Sequence, residues 1–263
     1  MSADSAHWSD PVAYLRRALA QDQFTLYCQP IAALSGGGGA YPMAEVLVRL
    51  REEEAALLPP GEFLPVLEHY GMMPELDRWV VREVLRRLAG GAGIPRFSVN
   101  LSRQTIADPG FADFVADELL ASRVPPECIV FEIDEHDAAA APSWVRRLCA
   151  AVGSLGAGVL IEGFGRDADR LATLRLPCVR FVKLHGSLTR NLATDEAAVA
   201  KVLSLLRLAA ELGIAAIAEC VECEEVLARL RAMQVRYAQG FGICAPQPID
   251  LEINSAQEAR WPS

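Results

Sequence analysis

FTLYCQPIAALSGGGGAYPMAEVLVRL, residues 24–50, holds two strand-like runs, Phe24–Ile31 and Met43–Leu50. Only eleven residues, Ala32–Pro42, separate them, and four of these are the consecutive glycines Gly36–Gly39. A parallel crossover needs about a dozen residues or more, usually with a helix, so the two runs are predicted to pair antiparallel. A hairpin symmetric about Gly37 sets Gln29 opposite Glu45. The two-residue period of a strand then gives Glu45, Leu47 and Arg49 one common face. No helix pattern follows the glycines, so they read as a turn and not as a phosphate-binding loop.

Outward from the hairpin, the chain alternates. Asp10–Gln21 has an Asp cap, a proline at the first helical position and helical apolar spacing. Helices are predicted at Pro60–Tyr70 and Pro74–Leu88, and the longest at about Asp195–Leu212. Strands are predicted at Arg96–Leu101, Cys128–Ile133, Gly158–Glu162, Val179–Leu184, Ile214–Glu219 and Val235–Ala238. Eight strands with helices between them give an α/β fold, a (β/α)8 TIM-like barrel whose first strand runs backwards. Five strand ends carry Asn100, Glu132, Glu162, Lys183 and Glu219. Strand ends in such a barrel converge on one face, where its chemistry is done. Carboxylates, an amide and a lysine gathered there make a metal site able to handle a phosphate.

Composition sets the bounds. At 263 residues and 52% hydrophobic, the chain fits a single domain with a substantial core. Its core is expected over about 10–250, with residues 251–263 as an extension packed on the barrel. The start, just before the first helix, is compatible with a domain cut from a longer protein. The net charge of −9 disfavours broad binding to a nucleic-acid polymer while leaving room for one small anion beside bound cations. No run approaches the roughly 18–20 apolar residues of a membrane span, and the polar first residues lack signal-peptide form. Seven scattered cysteines point to reduced thiols and a cytoplasmic location. Cys220 and Cys223 form a C-x-x-C pair, but no second pair or nearby histidine completes a zinc set. His69 and His136 read as surface or helix-end residues, and Arg16, Arg17, Arg86 and Arg87 as solvated helix faces.

Several motifs coincide in order and spacing with one family. QPI at Gln29, E-V-L-V-R at Glu45, P-x-E-F-L-P at Pro60 and V-N-L-S at Val99 resemble an EAL domain, as do F-E-I-x-E at Phe131, V-K-L at Val182, A-E-x-V-E at Ala218 and Q-G-F at Gln239. The resemblance covers about residues 10–250. It implies a role in bacterial cyclic di-GMP signalling on a (β/α)8 barrel with an antiparallel first strand, and in active members Mg²⁺- or Mn²⁺-dependent opening of the cyclic dinucleotide to pGpG. It implies that Glu45, Asn100, Glu132 and Glu162 match metal ligands. Lys183 matches the lysine near the attacking water and Glu219 a general base or ligand there. Gln29, Leu47, Arg49 and Gln239 match ligand-contacting positions, and Glu135 a glutamate supporting the loop after the fifth strand. It also implies a homodimer.

The departures fall on one part of the site. Where the family has D-D-F-G-T-G, this chain has Glu162-Gly163-Phe164-Gly165-Arg166-Asp167. The second Asp is therefore a glycine, and the first is longer by a methylene. The Asp of K-I-D is His185, which becomes a candidate metal contact, and the glycine of A-E-G-V-E is Cys220. One metal site is expected nearly complete and the second broken, with Lys183 and Glu219 vestigial. The dimer is expected to be weaker, because Arg166 and Asp167 replace small residues in a loop that supplies its contacts. Three readings stand: a degenerate EAL domain that binds cyclic di-GMP and signals to a protein partner; a working phosphodiesterase; and an interaction module that no longer binds the nucleotide.

Overall fold

The computed structural model describes residues 10–34, 41–51, 57–166 and 172–250. The glycine run Gly36–Gly39, Asp167 and the expected extension 251–263 lie outside the described residues. The strands are β1 (Phe24–Ala33), β2 (Met43–Arg51), β3 (Leu57–Leu58), β4 (Phe97–Asn100), β5 (Ile129–Asp134), β6 (Gly158–Phe164), β7 (Val179–Leu184), β8 (Ala215–Ala218), β9 (Tyr237–Ala238) and β10 (Gln247–Pro248). The helices are α1 (Pro11–Ala20), α2 (Pro60–His69), α3 (Met73–Ala89), α4 (Arg103–Ala107), α5 (Phe111–Ser122), α6 (Glu135–Ala140), α7 (Pro142–Leu155), α8 (Gly186–Arg190), α9 (Glu196–Glu211) and α10 (Glu224–Ala232).

β1 and β2 pair antiparallel in the predicted register, with Gln29 opposite Glu45. β2 then pairs in parallel with β4, and parallel pairing continues through β9. β9 returns to β1 antiparallel, which closes an eight-stranded barrel with one reversed strand. β3 and β10 are short additions to β2 and β1. No helix among the described residues is long and apolar enough to cross a membrane.

Two apolar layers hold the barrel. The larger lies between strands and helices and includes Leu15, Phe63, Phe97, Phe111 and Phe131. The smaller fills the inside of the barrel with Ile31, Met43, Val130, Leu160, Phe181 and Ile217. Its members recur two residues before Glu45, Glu132, Glu162, Lys183 and Glu219, because inward-facing positions alternate along a strand. The strand period thus stacks a polar layer directly above an apolar plug.

Some boundaries differ from expectation. β6 runs on to Phe164, and between Ile161 and Phe164 it carries one residue more than β7 does. That bulge puts Glu162 and Gly163 at an irregular point of the ladder, where a bulge re-aims side chains. Arg87 was expected on a solvated face, but its side chain is only 13% exposed. It bridges Glu83 and Asp250, tying α3 to the residues after β10.

Candidate functional site

The site grows from the first half of β2, which supplies Glu45, and from the carboxyl-terminal parts of β4, β5, β7 and β9. Lys183 projects from β7 and donates to Glu45 Oε2 at 2.7 Å and, more closely, to Glu132 Oε1. Lys183 and Glu132 are fully buried. Asn100 donates to Glu45 Oε1 at 3.1 Å, and Gln239 to Glu45 Oε2 at 2.8 Å. Gln239 also donates to Gln29 at 3.1 Å, and Gln29 in turn to the Cys244 carbonyl at 3.1 Å. Six of the residues singled out from the sequence therefore form one connected polar network.

One ammonium faces three carboxylates, and the charge is shared unevenly. Burial acts to raise the Glu45 carboxyl. The Lys183 charge and hydrogen bonds from Lys183, Gln239 and Asn100 outweigh burial and hold it below its ordinary value. Glu132 is pushed up to about 8 by burial, with Glu45 and Glu162 adding to the shift against the pull of Lys183. Its Oε2 is buried without a hydrogen-bond partner, whereas both oxygens of Glu45 accept hydrogen bonds, in keeping with the opposite directions of the two shifts. Glu162 is raised by burial too, and the charges of Glu45, Glu219 and Asp134 add to this over the opposing effect of Lys183. Burial acts to lower the Lys183 ammonium, yet Glu132, Glu45 and Glu162 keep it above its usual value.

The remaining residues are placed differently. Glu219 turns its carboxylate onto the Gly186 N–H, 2.6 Å away at the start of α8. His185 lies 2.7 Å from the Ser187 hydroxyl through Nδ1 and caps the same helix. Arg49 donates to the Val48 carbonyl at 2.9 Å and lies over the Tyr27 ring, 5.5 Å from its centroid. Leu47 stands opposite Tyr27 in the hairpin. Glu135 is buried and opens α6. Cys220 and Cys223 are free thiols.

Two residues went unnoticed in the sequence. Tyr27 follows from the predicted hairpin register, which fixes it opposite Leu47 once Gln29 meets Glu45. Asp77, buried on α3, accepts from Ser102 N, Ser102 Oγ and Thr105 Oγ1 at 3.0, 2.7 and 2.6 Å. It pins the turn directly after Asn100, and an acid within the apolar pattern of α3 was its available signal.

The EAL domain model matches residues 12–246. The chain belongs to the EAL domain family. The cyclic di-GMP phosphodiesterase PdeB of Shewanella oneidensis is 29% identical over 253 residues, covering 93% of this chain and 29% of that protein. The cyclic di-GMP phosphodiesterase PdeF of Escherichia coli is 28% identical over 249 residues, covering 94% and 33%. The chain thus spans about a third of the length of these relatives. The crystal structure of the FimX EAL domain from Pseudomonas aeruginosa bound to c-di-GMP superposes with a TM-score of 0.85 at 28% identity, covering 97% of this chain and all of that one.

Against the EAL pattern, two local geometries stand out. Gly163, which the sequence resemblance sets against the second Asp of the motif, has φ +78°, a left-handed conformation that favours glycine. A Cβ on it would lie 2.8 Å from Arg166 Nη2, and Arg166 is itself paired with Asp134 at 3.2 Å. Cys220, at a family glycine, keeps the glycine-like φ of +57°, which costs a residue with a Cβ about 1–2 kcal/mol. Cys220→Gly is therefore expected to raise stability by up to about 1 kcal/mol, and Cys220→Val to lower it, because branched side chains tolerate that region least. Chemical-denaturation midpoints of the two variants moving together would remove this account.

Among the described residues, no three His, Cys, Asp or Glu side chains gather closely enough to hold a metal ion as they stand. Lys183 takes up the interval between Glu45 and Glu132. The chemistry still suits one hard cation: the buried, unpaired Glu132 Oε2 lies among further oxygen donors. It does not suit a second ion at position 163, where glycine has no donor and a guanidinium fills the space.

Proposed function

We propose that this chain is a degenerate EAL domain that binds cyclic di-GMP as a receptor, with hydrolysis absent or very slow. The observation that carries the reading is Gly163, left-handed and roofed by Arg166. Glu45, Asn100, Glu132 and Glu162 would hold a single Mg²⁺ or Mn²⁺, which when bound supplies charge stabilisation to a phosphate. Gln29, Leu47, Arg49 and Gln239 bind and orient the dinucleotide through amides, an apolar contact and a guanidinium. Lys183 keeps Glu45 ionised, and Glu219, committed to the Gly186 N–H, serves as a helix anchor. Glu135 supports the loop that follows β6. The solved FimX EAL domain with c-di-GMP bound supports the nucleotide class. The same reading includes a signalling partner and a homodimer weakened at Arg166.

A phosphodiesterase is the second reading. The intact Glu45–Lys183–Glu132 cluster and the activity named for PdeB and PdeF favour it. Calorimetric titration with cyclic di-GMP, with and without Mn²⁺, followed by chromatography for pGpG, separates the two: heat without product supports the receptor, and rapid product the enzyme.

Arg49 gives a sharper test of binding. The described residues offer its guanidinium one acceptor, the Val48 carbonyl, so most of its N–H donors are available to a phosphate. Arg49→Ala is expected to weaken cyclic di-GMP binding about tenfold or more, the usual worth of a hydrogen bond to a charged group. An unchanged dissociation constant would remove Arg49 from the site.

A further inference from the structure

We propose that the opposite, amino-terminal mouth of the barrel is a second ligand site, for a small aromatic organophosphate of the nucleoside monophosphate class. A cleft of about 510 Å³ opens there, within the roughly 300–1,000 Å³ range of small-molecule sites. A smaller cleft of about 240 Å³ shares Arg96, Arg180 and Phe181 with it. The larger cleft is walled by Arg96, Arg180 and Arg236, and no carboxylate is among its described lining residues. Among the described residues none of the three guanidinium groups is in an ion pair, although Glu127 lines the smaller cleft beside Arg96 and Arg180; in a chain with net charge −9 they make a local reversal of sign. Their mutual repulsion is relieved by an anion.

The arginines are individually placed. Arg180 is the extra residue of a bulge: Val159 pairs with Val179, and Leu160 pairs next with Phe181. Bulges recur at barrel rims where they redirect a side chain. Arg180 has no ion pair or side-chain hydrogen bond among the described residues. Arg96 lies over the Phe181 ring, 5.7 Å from its centroid, while its Nε donates to the Glu127 carbonyl at 2.8 Å. Arg236 lies over the Tyr237 ring at 5.3 Å. Stacking on a ring face leaves guanidinium N–H groups pointing outward in the plane, the arrangement that grips a phosphate with two bonds.

The remaining surface selects an aromatic body over a bare phosphate. Tyr237 is the partly exposed ring of this wall, standing edge to face with the buried Phe181 at a centroid distance of 6.2 Å, and the buried Ile214 and Ala216 close the wall behind it. Such a surface gains by covering a planar ring. The plug of Ile31, Met43, Val130, Leu160, Phe181 and Ile217 lies between this mouth and the carboxylate face, so the two sites are separate and this inference does not depend on cyclic di-GMP binding.

Calorimetric titration with GMP, guanosine and inorganic phosphate, each in the presence of saturating cyclic di-GMP, tests the site. GMP is expected to bind one site, with guanosine and phosphate each at least tenfold weaker. Arg180→Gln is expected to weaken GMP about tenfold or more. If circular dichroism shows that Arg180→Gln misfolds, Arg236→Gln, exposed on the rim, carries the test with the same expected loss. No GMP binding at millimolar concentration, phosphate binding as tightly as GMP, loss of GMP binding on adding cyclic di-GMP, or indifference to the folded arginine variant would each overturn the proposal.

Discussion

Lys183→Met is expected to destabilise the protein by about 3–5 kcal/mol near pH 8, the usual consequence of removing one partner from a buried ion pair. Among the described residues, Lys183 is the one cation bonded to Glu45 and Glu132, and both it and Glu132 are buried. Without it, buried carboxylates face one another with no counter-charge. The penalty depends on pH, and its sign follows from where the protons sit. In the variant, Glu45 and Glu132 both have folded-state pKa values above the ordinary carboxylate value, so the folded state holds protons that the unfolded state has released. Stability then falls as pH rises above about 4.5. In the protein itself burial already shifts Glu132 upward, but Glu45 is shifted the other way. The gap between variant and parent in denaturant unfolding should therefore be small near pH 5 and widen toward pH 8. A gap that is constant with pH, or a variant as stable as its parent at pH 8, would mean that Lys183 does not neutralise this cluster.

The hairpin was legible because loop length and glycine content constrain it alone: eleven residues forbid a parallel crossover, and the register follows from symmetry. The strand ends then pointed Glu132, Glu162 and Lys183 to one face of the barrel, while the hairpin register set Glu45 opposite Gln29, without any knowledge of packing. What the sequence left unread was how the side chains divide among partners. Nothing local shows that Glu219 bonds the Gly186 N–H while Glu45 receives three donors, because both are glutamates in similar apolar runs. The sequence also suggested His185 as a candidate metal contact; its Nδ1 is engaged at the start of α8, a pairing that the sequence did not show. The Arg180 bulge was equally hidden, since an extra residue in a ladder is visible only once both strands are paired.

On the receptor reading, Gly163→Asp alone is expected to leave cyclic di-GMP hydrolysis no higher than in the parent. The loss to be repaired is large, since removing a single well-placed electrostatic group from an active site typically costs about 10²–10³ in rate. Adding the carboxylate back does not put it in position. The backbone at 163 is left-handed, which an aspartate tolerates only at some cost, and its Cβ would meet Arg166 Nη2 at 2.8 Å. A carboxylate introduced there pairs with that guanidinium, competing with Asp134, and its oxygens are no longer free for a cation. Arg166→Thr combined with Gly163→Asp removes the competitor and is expected to produce more pGpG than either single change. It should still fall short of full activity, because Glu162 is longer than aspartate and His185 stands at the family's K-I-D carboxylate. Chromatography of pGpG at saturating Mg²⁺ or Mn²⁺ reads all four proteins. Rapid product from the parent, or full recovery from Gly163→Asp alone, would show that Arg166 and the left-handed turn do not block the second ion, and the receptor reading would give way to the phosphodiesterase.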